Sequence, residues 1–287
     1  MTHASHPFRS RSSVGCMRPL VMDSCSTEVL CSRLRLMQIL GVIPARYQSS
    51  RFPGKPLADM GGKSLIQRVV NQCRKSRQLS EIIVATDDPR IQEHVESFCK
   101  VEMTSSDHPS GTDRVAEVMA RHGGFDGAVN IQGDEPMIDP QVIDKVAEAL
   151  QDAPMTTAAT PIRTVEDYQS PHVNKVILNQ ASEAIYFSRR TIPCVRDALS
   201  LPATDQLKAF PFLKHLGIYG YRRETLLKLV QWPVSAFEEA EKLEQLRALD
   251  HGVRIHVSVV AYESIGVDTP EDLEKVLKEL GIGKTTR

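Results

Sequence analysis

The chain has 287 residues, 41% of them hydrophobic and 25% charged, with a formal net charge of -1. That length accommodates one large domain or two smaller ones, and the composition is ordinary for a soluble globular protein. No apolar run reaches the about 18 residues of a membrane helix, and the balanced charge gives no global pull toward nucleic acid or anionic lipid.

Any phosphate chemistry must therefore rest on a local cluster of cations. The six cysteines include no C-x-x-C pair, which leaves reduced thiols in a cytoplasmic protein as the reading.

The first 36 residues differ from the rest. They hold five Arg, no Lys and only Asp23 and Glu28 as acids, with abundant Ser. Such a start has the composition of an organellar targeting segment. Met37 stands immediately before the first apolar run, so a mis-set start is the preferred reading. Either way residues 1–36 are expected to be a disordered extension, and residues 37–287 the working domain.

Residues 38–44 read as a short buried strand. A loop rich in Gly, Pro and cations follows to residue 62. A helix is expected over 63–77, where Leu65, Ile66, Val69, Val70 and Cys73 share one face. A strand at 81–86 precedes a helix introduced by Asp87-Asp88-Pro89. Strand 100–104, helix 112–121, strand 127–132 and a helix over about 140–151 complete the first half. This alternation predicts a mostly parallel sheet covered by helices on both faces. In such sheets ligands bind beyond the carboxyl ends of the strands. The loops 44–56 and 132–136 both follow strands and should open toward one crevice.

The second half changes character. Residues 174–179 and 183–190 form an expected hairpin. Residues 197–210 read as a flexible loop, 215–221 as a strand and 223–231 as a helix. A helix over 237–249 and an alternating strand over 254–261 follow. The last helix, about 270–281, opens with Asp268-Thr269-Pro270-Glu271-Asp272, a cap with Pro in the first turn.

The most informative segment is Pro44-Ala45-Arg46-Tyr47-Gln48-Ser49-Ser50-Arg51-Phe52-Pro53-Gly54-Lys55-Pro56-Leu57. Arg46, Arg51 and Lys55 crowd into it directly after a buried strand. A transferred phosphoryl group needs cations where charge builds up. Small residues let backbone N–H groups approach phosphates, and Lys55 offers a point charge to them. The segment is neither G-x-x-x-x-G-K-[ST] nor G-x-G-x-x-G, which disfavours an ordinary P-loop ATPase and a nicotinamide enzyme.

This loop resembles the signature loop of the 3-deoxy-manno-octulosonate cytidylyltransferases (CMP-Kdo synthetases). The resemblance continues through ATDD (85–88), SGTDR (110–114), NIQGDEPMI (130–138), YFSR (186–189), HLGIYGY (215–221), LEQLR (243–247) and GVDTPEDLE (266–274). It implies an α/β, Rossmann-like nucleotidyltransferase fold with a smaller hairpin-containing region for dimerisation and sugar binding. It also implies Mg²⁺ as cofactor and a homodimer. The expected activity is transfer of CMP from CTP to an eight-carbon acidic sugar, for lipopolysaccharide biosynthesis. A cytidylyltransferase for acylneuraminate and a non-catalytic nucleotide-binding protein on the same fold are the alternatives.

Asp134, in Gln132-Gly133-Asp134-Glu135, ends a strand beside the expected triphosphate crevice. An acid there is a natural Mg²⁺ ligand, since Mg²⁺ takes a few carboxylates plus phosphate oxygens and water. Alternatively it is a strand-end turn. Asp268 reads by itself as a helix cap; the resemblance makes it the second metal ligand. The resemblance places Ser110 and Arg114 at the cytidine end. Pro44, Ala45, Arg46, Arg51, Lys55 and Gln132 complete the expected nucleotide site, with Lys55, Arg46 and Asp134 as catalytic residues. On the acceptor side it implies Arg189, Arg196, His215, Tyr219, Glu244 and Gln245, again with Gln132. Arginines suit the sugar carboxylate, while His215 and Tyr219 share a strand face. Arg190 should point to the surface. Cys194 stands where some relatives carry an aromatic residue.

Overall fold

The computed structural model describes residues 37–49, 51–263 and 265–282. The expected extension at 1–36 lies outside the described residues. Strand β1 (Ile39–Ala45) is buried on both faces because its side chains alternate between two cores. Ile39 and Ile43 pack on one side, with helix α1 (Leu65–Cys73). Leu40 and Val42 pack on the other, with helix α3 (Gly111–Arg121). Strands β2 (Leu79–Thr86), β3 (Lys100–Met103) and β4 (Gly127–Asn130) join β1 in parallel. Helix α2 (Pro89–Glu96) lies between β2 and β3 in sequence. Each connecting helix begins at a polar cap: Ser64, Asp88 and Ser110 each accept backbone N–H groups of the first turn.

The main sheet runs β3-β2-β1-β4-β8-β5-β9, where β5 is Met155–Pro161, β8 Leu213–Arg222 and β9 Ile255–Val259. Strand β8 is antiparallel to both neighbours, and β9 is parallel to β5, so one strand alone is reversed along this path. The mostly parallel sheet read from the strand–helix alternation is therefore present. Strands β6 (Lys175–Leu178) and β7 (Ala184–Ser188) form the expected antiparallel hairpin, attached to β8 through β6.

Several elements depart from the sequence reading, among them the short helix at Val165–Gln169, which has no counterpart in it. Strand β5 was not anticipated. Its residues MTTAATP carry little apolar bulk, yet six of the seven are buried. The threonine hydroxyls make this possible: Thr156 donates to the Val146 carbonyl at 2.7 Å and Thr157 to that of Ile218 at 2.7 Å. The segment 197–210 is also not wholly a loop. After helices α4 (Pro140–Glu148) and α5 (Val165–Gln169), it contributes a 3-10 turn at Arg196–Ala198 and helix α6 (Ala203–Lys208). After helix α7 (Arg223–Leu229) the expected helix at 237–249 is two helices, α8 (Ala236–Glu241) and α9 (Gln245–Asp250). They break at Lys242, which adopts a left-handed φ of 52°. The chain closes on helix α10 (Pro270–Glu279).

Candidate active site

The chain adds β2 and β3 on one side of β1, then returns to place β4 on the other. The strand order reverses there, which opens a crevice outside the carboxyl ends of β1 and β4. A cleft of about 370 Å³ occupies this place. Pro44, Ala45, Arg46, Arg51 and Lys55 line it from the β1 loop, Gln132, Gly133 and Asp134 from the β4 loop. Ser110 and Gly111 line it from the N-terminus of α3, and Asp268 lines it from the far end of the sequence. Pairing after these two strands therefore unites positions more than 200 residues apart.

Lys55 is the centre of the cleft. Its Nζ donates to Asp134 Oδ2 at 2.8 Å and lies 3.3 Å from Asp268 Oδ1. Arg51 approaches the other Asp268 oxygen at 3.3 Å. The backbone enforces this meeting. Val267 N–H donates to the Asp134 carbonyl at 2.9 Å, which pins the two aspartate-bearing segments together. Asp134 reaches the cleft because Gly133 permits close approach: a Cβ there would stand 2.7 Å from the Pro44 carbonyl oxygen. Lys55 follows Gly54, whose φ of 72° is left-handed, and opens a short 3-10 turn over Lys55–Leu57.

The same geometry separates the two readings of Asp268. The N-cap of α10 is Thr269, which forms a reciprocal capping box with Asp272. Asp268 precedes the cap and directs its carboxylate to Lys55 instead.

Arg46 donates to the His108 carbonyl at 2.6 Å, joining the β1 loop to the loop before α3. Ser110 both lines the cleft and caps α3, accepting the N–H groups of Thr112 and Asp113. Gln132 donates its amide to the Gly217 carbonyl at 2.7 Å, so it bridges the cleft to β8.

Arg114 requires a correction. It is fully buried and does not line the cleft. Its guanidinium pairs with Asp87 at 2.9 Å and also donates to Thr104. The helix turn that places Ser110 at the cleft turns Arg114 inward beneath the ends of β2 and β3. This placement gives it an internal ion pair and no face on the cleft.

Arg189 is half-buried at the end of β7 and tied to backbone carbonyls. Its Nε donates to the Glu241 carbonyl at 2.6 Å, Nη2 to the Lys242 carbonyl at 3.2 Å and Nη1 to the Pro171 carbonyl at 3.3 Å. The guanidinium thereby caps the carboxyl end of α8, where helix carbonyls lack partners. Arg196 is exposed on its 3-10 turn and Arg190 is exposed after β7. Neither lines the phosphate cleft.

Of the remaining acceptor-side residues, His215 and Tyr219 lie on β8, and Glu244 and Gln245 stand at the start of α9. The rings of His215 and Tyr219 lie 5.2 Å apart, and Phe187 meets His215 edge-on at 5.0 Å. His215 Nε2 is 2.9 Å from Thr157 Oγ1, whose own proton goes to the Ile218 carbonyl. Burial pushes the imidazole pKa down to about 3, so the ring is neutral. Burial likewise holds the Tyr219 phenol well above its usual range. Glu244 accepts from Thr112 Oγ1 at 2.6 Å, linking this cluster to α3 two residues beyond Ser110. Gln245 is buried, and its amide nitrogen has no partner among the described residues.

Several cleft residues were not singled out from the sequence. Gln48, Ser49, Pro109, Gly111 and Gly133 all line it. Gly111 and Pro109 flank the Ser110 cap, which is the signal that marks them.

A switch-point cleft with a cation loop and paired aspartates defines a nucleotidyltransferase-like α/β protein. The sequence matches the cytidylyltransferase family over residues 40–255. It is 48% identical over 250 residues to the 3-deoxy-manno-octulosonate cytidylyltransferase of Geobacter sulfurreducens, covering 85% of this chain and 100% of that protein. The protein of the same description from Parabacteroides distasonis is 47% identical, over 84% of this chain and 98% of its own. The chain belongs to the 3-deoxy-manno-octulosonate cytidylyltransferase family. A solved structure of CMP:2-keto-3-deoxy-manno-octonic acid synthetase complexed with CTP superposes with a TM-score of 0.78 at 42% identity, covering 85% of this chain and 98% of that one. The 4-diphosphocytidyl-2C-methyl-D-erythritol synthase of Anaerococcus prevotii shares the fold alone, at 11% identity and a TM-score of 0.58.

Proposed function

We propose that this chain transfers CMP from CTP to the anomeric hydroxyl of 3-deoxy-D-manno-octulosonate and releases pyrophosphate. The observation that carries this reading is the convergence of Lys55, Asp134 and Asp268 at the switch-point cleft. In the reaction the sugar oxygen bonds to the α-phosphorus of CTP while the bond to the β-phosphate oxygen breaks. Such transfer rests on positioning and charge stabilisation. Arg46, Arg51 and Lys55 supply cations along the cleft. The N-terminus of α3, with Ser110 and Gly111, adds a phosphate-favouring backbone end.

The residues present fit Mg²⁺. Asp134 and Asp268 already share one cation, Lys55 Nζ, and both remain partly open to solvent. Among the described residues no group of three His, Cys, Asp or Glu forms a complete metal cage. Two carboxylates completed by phosphate oxygens and water suit magnesium. When bound, the ion neutralises charge on the phosphates. Lys55 and Arg51 keep the two aspartates in register for it.

For the acceptor we assign Gln132, His215, Tyr219, Glu244 and Gln245. Neutral His215 recognises hydroxyls rather than pairing with the sugar carboxylate, and the Gln245 amide is a donor in want of a partner. We assign Arg196, exposed on its 3-10 turn, to the sugar carboxylate. We also propose a homodimer, contacting through the β6–β7 hairpin, where Ile185 is 56% exposed. Light scattering tests that assembly. We propose a cytoplasmic location as well, where CTP is supplied; among the described residues no helix is long and apolar enough to cross a membrane.

The test is product analysis with CTP, Mg²⁺ and a panel of acidic sugars. CMP-linked eight-carbon sugar and equimolar pyrophosphate are expected. Product formed with N-acetylneuraminate alone, or with no sugar, would overturn the assignment.

A further inference from the structure

Gly54 and Lys55 owe their position to a stack of side chains outside the cleft. The Tyr47 ring fills the space over Gly54: a Cβ on Gly54 would meet ring atoms at 3.1 to 3.2 Å. Gly54 N–H donates to the Tyr47 carbonyl at 2.9 Å, closing the loop on itself. Against the Tyr47 ring lies the Arg90 guanidinium, its central carbon 3.3 Å from the ring centroid. Arg90 is in turn held by Asp88, through Nε to Oδ1 at 2.9 Å and Nη2 to Oδ2 at 2.6 Å. Asp88 caps α2, accepting the Arg90 N–H at 3.0 Å, and Pro89 stiffens that first turn.

A chain of contacts thus runs from the start of α2 through Arg90, Tyr47 and Gly54 to Lys55, and from Lys55 to both aspartates. The loop has other ties to the body: Phe52 and Leu57 pack against the core. Arg46 binds the His108 carbonyl, and Pro56 is buried in the 3-10 turn. Neither contact fixes the left-handed Gly54. A flat guanidinium held by a bidentate carboxylate is a rigid platform for an aromatic ring. Small misplacements of a catalytic group are costly to transfer rates.

We propose that Tyr47 and Arg90 are positioning residues for CMP transfer: their stack, anchored by Asp88, sets the Gly54 turn that aims Lys55 at the phosphates. Neither side chain need touch the nucleotide. The inference rests on the proposed function, and wild-type turnover establishes that reading separately. If the wild-type chain is inactive the function falls; if it is active and the variants match it, only the stack falls.

The experiment compares steady-state kinetics of Tyr47→Phe, Tyr47→Ala, Arg90→Lys and Arg90→Ala in the full chain, with CTP, Mg²⁺ and 3-deoxy-manno-octulosonate. Tyr47→Ala and Arg90→Ala should lower kcat by about 10-fold or more, with the acceptor KM unchanged. Tyr47→Phe should stay within about two-fold of wild type, because the ring is kept. Arg90→Lys keeps the charge but loses the flat, forked group, so it should resemble Arg90→Ala. Arg90 is exposed, so its variants fold whatever becomes of Tyr47→Ala, and thermal melting verifies this. Wild-type kcat in both Arg90 variants would overturn the proposal. So would full activity in Arg90→Lys, which would assign the effect to charge alone, or a loss confined to the acceptor KM.

Discussion

Lys55 Nζ stands 2.8 Å from Asp134 Oδ2 and, in the same position, 3.3 Å from Asp268 Oδ1. One flexible side chain thereby holds two acids that are 134 residues apart in sequence. The lysine is only 15% exposed, whereas the aspartates are 32% and 50% exposed. The cation is the inner member of the cluster, and the acids are the more open to solvent.

Replacing Lys55 by Met should therefore damage turnover far more than stability. Loss of one cation at the developing charge should reduce kcat by about 100-fold or more. The pairs are too open to solvent to support much of the fold, so the melting temperature should hardly move. Kinetics beside a thermal melt checks both halves. Asp134→Asn should likewise abolish turnover with the fold intact.

Arg114 is expected to behave in the opposite way. Its side chain is fully buried against Asp87 and Thr104. Arg114→Met should destabilise the chain by about 3 kcal/mol, since it leaves Asp87 without its charged partner. The KM for CTP in the protein that remains folded should be unchanged. Denaturant titration and a CTP saturation curve together distinguish this from a nucleotide contact, which would raise KM at full stability.

Arg189→Ala tests the helix cap. Losing three bonds to carbonyls at the end of α8 should cost about 2 kcal/mol of stability. The acceptor KM should change little. A large rise in that KM at unaltered stability would return Arg189 to the sugar site.

His215 gives a pH signature. Its folded pKa of about 3 lies below the ordinary value of 6.5. Between those values the unfolded chain binds a proton that the folded chain refuses. Stability contributed by neutral His215 is therefore complete above pH 6.5, falls as the pH drops through that value, and levels off only near pH 3. His215→Gln should flatten the slope of unfolding free energy between pH 4 and 6.5. Urea titrations at several pH values would show it.

The legible parts of the fold were those governed by local rules. Apolar spacing marked β1 and α1, and Asp88 with Pro89 marked the start of α2. Lys55 and Asp134 were legible because each follows a buried strand in a chemically unusual loop. What escaped was settled by tertiary partners. Strand β5 lacks apolar bulk, and its threonines become core residues only when neighbouring carbonyls accept their protons. The break at Lys242 has no Gly or Pro to announce it, but Arg189, more than fifty residues away in sequence, receives the carbonyls there. Arg114 sits in a motif whose first residue faces the cleft, and motif membership alone does not distinguish a lining residue from one turned inward.

The most direct test of the central claim is a crystal structure of the chain with CTP and Mg²⁺. The triphosphate should lie in the cleft between the β1 and β4 loops, with the metal on Asp134 and Asp268 and Lys55 Nζ on a phosphate oxygen. A nucleotide bound away from Lys55, or a metal held by neither aspartate, would contradict it.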